Sequence, residues 1–570
     1  MSAPVLPIVT AGLRPELFSE AGARSLSRVI LAAALAALII VGFGFRATGL
    51  STEGLSEDEL NKLNAVTDYR AHGLTSANGE HPLLMKALLT ISVVGTEKWN
   101  STSLVASHPE LSFPLETSLR LPGALFGALT VLVIFLVASE LFGVEVALIA
   151  GALWAFDPLV IGFNRIAKED TFLVFFFLLA NVFWLRGQRV AESQPARRPE
   201  PFYWATAACF GAMLASKYLP QMLVVSIAYN YTFQGIPSTR WKIGKIRFLK
   251  FFIVMGIVFA ICNPTIFLPG TWRAMSNFAG YRMIGHDSYE FMGKLYPHKY
   301  TDYLKGEPWY FYFLLIGIKL PVLTLLAFAT GLGLLFRRKS GDGRYFLLFW
   351  LFVWALAFAF AGGKFTRYAT ALLPAVLITA ALGVQFVGRK VGRVCARLFD
   401  SNSVKDYARA ALASLVIISA FWSATHAAPH YRLYGNVIGG DPARSGAYFP
   451  QDEFYDAYVR DAIIEIAKRA RPGARIASEL PTVAAFYAQR VNRPDLIFVE
   501  LSDPRETEKL DVGDFVIDGR GRTYFSNQAL LTRLRQAGKP AFTIAVGSAP
   551  AADVYILDKD GLEALLGLSR

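Results

Sequence analysis

Two acidic pairs stand in an otherwise apolar chain. The first lies in Ser56-Glu57-Asp58-Glu59, just after a hydrophobic run, and the second, Glu169-Asp170, heads a later one. A carboxylate can take a proton or pair with a cation. Beside a bilayer-length apolar run it is expensive to keep, and so it marks function. Cations stand at other run ends: Arg120, Lys217, Lys364 and Arg367. The stretch 48–119 adds Glu80, His81 and Lys86, and 269–308 adds His286 and Asp287 among many aromatics. Whether these groups can meet depends on the side of the membrane at which each run ends.

Of the 570 residues, 54% are hydrophobic and only 18% charged, against roughly 25% charged in a soluble protein. Apolar runs of about 20 residues, enough to cross a bilayer, recur from Val29 to Ala427. This is the composition of a polytopic α-helical membrane protein. The formal charge of +13 does not point to nucleic acid, because the basic residues cluster between the runs, where they anchor a membrane protein on its inner side. Cys209, Cys262 and Cys395 lie in or beside runs and form no disulfide framework or thiolate metal motif. No phosphate-binding loop or nucleotide-binding glycine fingerprint is present, which argues against an ATP-driven pump. The first run follows Arg24 and Arg28 and lacks a small-residue cleavage site, as in an uncleaved signal anchor.

Eleven spans are expected, at 29–47, 120–139, 143–161, 170–186, 201–217, 219–235, 249–268, 309–336, 345–362, 367–387 and 409–427. Basic residues set the orientation. Arg24 and Arg28 precede the first span, and Arg186, Arg189, Arg197 and Arg198 follow the fourth. Arg240, Lys242, Lys245, Arg247 and Lys250 follow the sixth, Arg337, Arg338, Lys339 and Arg344 the eighth, and a further set from Arg389 to Arg409 the tenth. Every second connection is basic, which puts these connections in the cytoplasm. The chain then divides into a cytoplasmic tail 1–28, a membrane domain 29–427 and an outer domain 428–570. The acidic pairs, Lys217, Lys364 and Arg367 all fall on the outer face.

Residues 82–98 are apolar but short. A crossing there would invert every later loop, so the segment is expected to lie in the outer interface. Beyond about 428 no spanning run remains. Helical periodicity over Asp452–Ala470 and strand-like runs at Ala474–Ser478, Leu496–Val499 and Asp514–Ile517 suggest a small α/β domain. It reads as a cap or binding module and shows no catalytic constellation.

The order of these residues resembles the glycosyltransferase C superfamily, in particular the family of protein O-mannosyltransferases and lipid A aminoarabinose transferases. That family has an Asp-Glu pair in the first outer loop, then a tyrosine and a His-Pro-Pro-Leu-x-Lys motif. Here Asp58-Glu59, Tyr69 and His81-Pro82-Leu83-Leu84-Met85-Lys86 stand in that order, with Leu83 in place of the second proline. Arg120-Leu121-Pro122-Gly123 matches an arginine-led second span, Arg165 to Asp170 an Arg-x-x-x-x-Asp turn, and Gly211 to Lys217 a Gly…Ser-Lys stretch. The match covers roughly residues 30–390 and implies sugar transfer from a polyprenyl-phosphate donor, with inversion at the anomeric carbon and no nucleotide sugar.

Such a transfer needs a base for the acceptor hydroxyl and cations for the departing phosphate. Asp58 matches the family's catalytic aspartate, with Glu59 as runner-up, and Asp170 would position the acceptor or neighbouring cations. Arg120, Lys217 and Arg367 are candidates for the donor phosphate. Glu80, His81, Lys86 and His286 belong to the loops that would face donor and acceptor. Glu80, His81 and His286 could also hold a divalent metal, although their spacing fits no metal motif and His-Pro also shapes loops. Phe291, Tyr296, Trp309, Tyr310 and Tyr312 suit an aromatic interface belt or a stacking surface for sugar. Expected partners are the polyprenyl-phosphate sugar, a protein, glycan or lipid hydroxyl acceptor, and membrane lipids.

Two rival classes make different demands. A secondary transporter calls for internal repeats and charges near mid-bilayer, whereas this chain has no evident repeat and carries its charges at span ends. A noncatalytic receptor would leave Asp58, Asp170 and Arg367 without a reason for their positions.

Overall fold

Helix ends decide where the charged groups fall. In the computed structural model, which describes residues 21–193, 197–229, 245–281, 283–337, 341–440 and 444–567, all eleven expected segments contain helix. Among the described residues, five helices are long and apolar enough to cross a membrane: Arg28–Ala47, Leu115–Phe142, Asp170–Ala191, Leu373–Leu398 and Ser403–Ala427. The pair Val144–Phe156 and Pro158–Asn164 makes a sixth if counted as one bent span. The protein is thus an integral membrane protein by its apolar helices. The expected span 309–336 is instead two short helices, Phe311–Lys319 and Val322–Leu335, parted at Leu320-Pro321. Proline removes a backbone donor and disfavours helical backbone in the residue before it. Part of the sixth expected span (230–235), Arg240, Lys242, Arg338 and Lys339 lie outside the described residues, as does most of the tail 1–28.

The bend at Asp157-Pro158 brings the second acidic pair to the first. Helices 144–156 and 158–164 meet at 62°, and the Asp157 carboxylate caps the second by accepting from the Val160 amide at 3.0 Å. The short helix then lies hard against Leu115–Phe142. A Cβ on Gly127 would stand 2.5 Å from the Asn164 side chain, so only glycine permits the approach. Arg165, next in line, donates to the carbonyls of Phe45, Arg46, Thr48 and Gly49 at 2.6–3.1 Å. It thereby satisfies the frayed end of the first helix and ties the turn 165–170 beneath the loop that carries Asp58.

Helix Glu57–His72 starts where its sequence says it should. Ser56 accepts from the Glu59 amide at 3.2 Å while the Glu59 carboxylate accepts from the Ser56 amide at 3.0 Å, a reciprocal cap. Glu57, Asp58 and Glu59 place negative charge on the first turn, where the helix dipole favours it. The segment expected at the interface is helix Leu83–Asn100, packed on Leu115–Phe142 and not among the spanning helices.

The C-terminal region carries a five-stranded sheet in the order β4-β3-β5-β7-β6, where β3 is Arg475–Ser478, β4 Ile497–Glu500, β5 Phe515–Gly519, β6 Phe542–Val546 and β7 Ala549–Ile556. β3 runs parallel to β4 and β5, while β7 is antiparallel to β5 and β6. Helices Val459–Arg469 and Pro481–Arg490 pack on it through Ile463, Ile466, Val483 and Ala484. The same buried cluster contains Leu55, Leu60, Leu63 and Val66 from the 48–119 connection, so the α/β region shares a core with that connection. β1 (Met283–Phe291) and β2 (Lys294–Lys299) form a separate hairpin turning at Met292-Gly293. The helix expected over Asp452–Ala470 is interrupted: Tyr455 and Asp456 both take left-handed backbone, with φ 47° and 63°. Their side chains are held elsewhere.

Candidate active site

A cavity of about 550 Å³ opens where the 48–119 connection, the turn 165–170, the end of helix Glu200–Ser216, the 366–371 turn and the C-terminal region meet. Asp58 lies on its wall, with a side chain 34% exposed. One oxygen, Oδ2, is approached by three groups: Lys168 Nζ at 2.9 Å, the Tyr455 hydroxyl at 3.0 Å and an Arg367 guanidinium nitrogen at 3.5 Å. Burial by itself would raise the proton affinity of this carboxyl. Lys168 and then Arg367 outweigh it, and the group is held well below the usual carboxylate range.

Around Asp58 the cations are held at measured places. Arg367 stacks over the Phe365 ring at 3.8 Å and faces Asp452 at 3.7 Å. The backbone amide of Thr366 donates to the Asp452 carboxylate at 2.8 Å, and so does the Tyr289 hydroxyl at 2.7 Å. Lys217 closes helix Glu200–Ser216 and donates to Asp170 at 2.6 Å. Lys62, one helical turn after Asp58, lies 2.8 Å from Glu169. Glu80, His81 and His286 also line the cavity. His81 approaches Glu169 at 3.4 Å, whereas His286 stacks on Tyr524 with 4.1 Å between centroids and lies 3.8 Å from Glu57. The expected histidines therefore face one cavity from different carboxylates. Among the described residues no group of three His, Cys, Asp or Glu is arranged to hold a metal.

Four expected residues stand behind the wall. Glu59 is fully buried and accepts two parallel hydrogen bonds from Arg120, at 2.8 and 2.7 Å, and one from the Ala167 amide at 3.0 Å. Arg120 spends its other donors on the carbonyls of Leu50, Glu53 and Gly54. The pair bolts loop 50–59 to helix Leu115–Phe142 and does not reach the cavity. Lys86 donates to the carbonyls of Ala77, Asn78 and His81 at 2.7–3.2 Å and so shapes the loop that presents His81. Burial pushes its ammonium down to about 7. Asp170 faces Lys217 rather than the open cavity.

Several wall residues were not anticipated. Lys62 and Lys168 had local signals: one lies four residues after Asp58 on the same helix, the other directly before the second acidic pair. Tyr455, Asp456 and Arg522 had none that a helix-like and a glycine-rich stretch would betray. Arg522 grips Asp456 with both arms at 2.5–2.9 Å, and Asp456 accepts from the Glu57 amide at 3.1 Å. The C-terminal region, expected as a cap or binding module, thus supplies Tyr455, Asp456 and Arg522 to the cavity wall.

With this geometry in hand, comparison with known proteins is informative. The family described as dolichyl-phosphate-mannose-protein mannosyltransferase matches residues 110–267. The Archaeoglobus fulgidus oligosaccharyltransferase in its apo form is similar at 12% identity and a TM-score of 0.50, over 86% of this chain and 69% of that one. ArnT from Cupriavidus metallidurans in the apo state is similar at 14% identity and a TM-score of 0.49, over 96% of this chain and 99% of that one. The S. cerevisiae protein O-mannosyltransferase Pmt1-Pmt2 complex bound to the sugar donor aligns at 18% identity and a TM-score of 0.32, over 50% and 39% of the two chains. No curated protein sequence matches. The chain is accordingly similar in fold to the archaeal oligosaccharyltransferase. Within the chain, residues 110–267 resemble the dolichyl-phosphate-mannose-protein mannosyltransferase family.

Proposed function

We propose that this protein is a membrane glycosyltransferase that moves a sugar from a polyprenyl-phosphate carrier to a hydroxyl acceptor at the outer face. The observation that carries the reading is Asp58: a partly exposed carboxylate at the mouth of a cavity whose other charged walls include Lys168, Lys217 and Arg367. In the reaction the Asp58 carboxylate takes the proton of the acceptor hydroxyl as that oxygen forms its bond to the anomeric carbon. The bond from that carbon to the phosphate oxygen breaks, and its electron pair leaves with the lipid phosphate. Attack from the face opposite the phosphate inverts the anomeric centre. Arg367 and Lys217 stabilise the leaving phosphate, since guanidinium and ammonium groups meet such charge with strong hydrogen bonds.

Glu59 and Arg120 act behind the wall by holding the Asp58 loop, and Asp170 acts by orienting Lys217. Glu80, His81 and His286 bound the space where sugar and acceptor meet, and Lys86 keeps their loop in shape. The matching family's description supports a mannose-type donor, and the fold shared with an oligosaccharyltransferase supports sugar transfer from a lipid carrier. A protein Ser or Thr, a glycan and a lipid head group all offer the required hydroxyl. Alternating basic connections support a cytoplasmic N-terminus with the C-terminal domain outside. Purified protein incubated with a panel of radiolabelled polyprenyl-phosphate sugars and membrane extract should transfer label from one of them. A panel that yields no transfer with the wild type would reject the reading.

A further inference from the structure

The cations around the cavity differ in what their partners could survive. Lys62 faces Glu169, whose side chain is 1% exposed, and Lys217 faces Asp170, whose side chain is 7% exposed. Taking either cation away would strand a buried carboxylate, which is costly. Lys168 is different. Its near partner at 2.9 Å is Asp58, the more exposed carboxylate, and Glu169 stands farther off at 3.9 Å. Asp58 would still keep the Tyr455 hydroxyl at 3.0 Å and its place in the first turn of helix Glu57–His72. Glu169 would likewise keep Lys62. Lys168 itself is buried to 5% exposure and lines the cavity, so an ammonium there needs an anion at all times.

We propose that Lys168 is a phosphate-binding residue of the donor pocket, and that the Asp58 carboxylate holds its place until the phosphate of a prenyl-phosphate ligand takes over. This rests on the donor class proposed above and adds a residue and an exchange to it. Both anions are oxygen-rich and negative, and Lys168, which lines the cavity beside Asp58, is a cation that either can pair with. A phosphate drawing Lys168 away leaves Asp58 with the tyrosine hydroxyl and the more distant Arg367. After burial, Lys168 is the strongest influence on this carboxyl, so its departure makes Asp58 a better proton acceptor when the donor is in place. An acceptor hydroxyl is then deprotonated efficiently only beside a bound donor.

The test uses the full chain in detergent and reads binding of farnesyl phosphate, undecaprenyl phosphate, farnesol and inorganic phosphate by intrinsic tryptophan fluorescence. Wild type should bind both prenyl phosphates saturably and more tightly than farnesol. Lys168→Met should weaken both phosphates by about tenfold or more, the loss expected of a hydrogen bond to a charged group, with farnesol unaffected. Lys168→Arg, which keeps the charge, should retain most of the affinity. Asp58→Asn should act in the opposite direction and tighten both phosphates, because the competing carboxylate is gone. Opposite effects from two touching residues do not arise from general misfolding. Unchanged phosphate affinity in Lys168→Met, or weakening in Asp58→Asn, would overturn the exchange while leaving the donor class intact. Equal binding of farnesol and farnesyl phosphate by wild type would instead overturn the donor class. Inorganic phosphate should displace farnesyl phosphate only at much higher concentration; displacement at equal concentration would overturn a lipid-linked ligand.

Discussion

Asp58 and Tyr455 stand 397 positions apart in the chain and meet at 3.0 Å, the tyrosine hydroxyl donating to Oδ2 of the carboxylate. One residue comes from the first turn of helix Glu57–His72 and the other from a left-handed step in the C-terminal region. That pairing leaves Oδ1 of Asp58 as the freer oxygen for a proton. It also means that the C-terminal domain takes part in holding the candidate base. Tyr455→Phe removes only the hydroxyl. Turnover should fall by roughly tenfold, the scale of a hydrogen bond to a charged group, with donor KM unchanged. The acid limb of the pH–rate profile should move to higher pH, because a donor to the charged carboxylate favours that form and its loss raises the pKa. A profile that stays put would remove Tyr455 from this role.

Asp58→Asn keeps the side chain's size and removes its capacity to accept a proton. Turnover should drop by about 100-fold or more, as loss of a general base commonly does. Prenyl-phosphate binding should be retained and tightened, because the carboxylate that competes for Lys168 is gone. Near-normal turnover would transfer the base role to another carboxylate on the wall, Glu57 or Glu169.

Arg367 lies over Phe365 with its guanidinium between Asp58 and Asp452. Arg367→Ala should weaken binding of a prenyl phosphate by about 1.5–3 kcal/mol and leave binding of the corresponding alcohol untouched. Arg367→Lys should restore only part of the loss, since a point charge lacks the planar two-point grip. Equal weakening of both ligands would assign Arg367 to the lipid groove or the fold.

Glu59 and Arg120 form a buried pair, at 0% and 3% exposure. Breaking such a pair from one side typically costs about 3–5 kcal/mol. Glu59→Gln and Arg120→Met should each lower the thermal midpoint of the purified protein well beyond any effect of Asp58→Asn. Paired replacement of both should cost less than the two single losses added together. Additive losses in that double-mutant cycle would argue against direct coupling.

The alternation of basic connections predicts the membrane orientation. Reporter fusions at positions 195 and 340 should read cytoplasmic, and those at 290 and 500 external. A cytoplasmic reading at 500 would end the eleven-span topology.

Much of the architecture is legible because bilayer-length apolar runs have few alternatives to helix. Ser56 and Glu59 announce the start of helix Glu57–His72 through a local, reciprocal cap, and strands β3, β4 and β5 follow from short apolar runs bounded by turns. Strands β6 and β7 were missed: they lie beyond the last run that looked like a strand. The break at Tyr455-Asp456 is not legible, since its local pattern is helical and the groups that hold the two side chains apart include Asp58, Glu57 and Arg522, all distant in the chain. Arg120 was read from its position at a span end. What a span end cannot reveal is which way its guanidinium turns, and a buried Glu59 takes it inward.

By itself, then, the sequence determined the membrane class, the helical segments and which connections carry the charged groups, because apolar length, caps and charge placement are local properties. The tertiary structure alone decided which groups pair: Lys168 and Tyr455 on Asp58 at the cavity wall, and Arg120 on Glu59 and Lys217 on Asp170, two carboxylates behind it. Ion pairs and hydrogen bonds act over about 3 Å, and contacts between residues hundreds of positions apart exist only once the helices have packed.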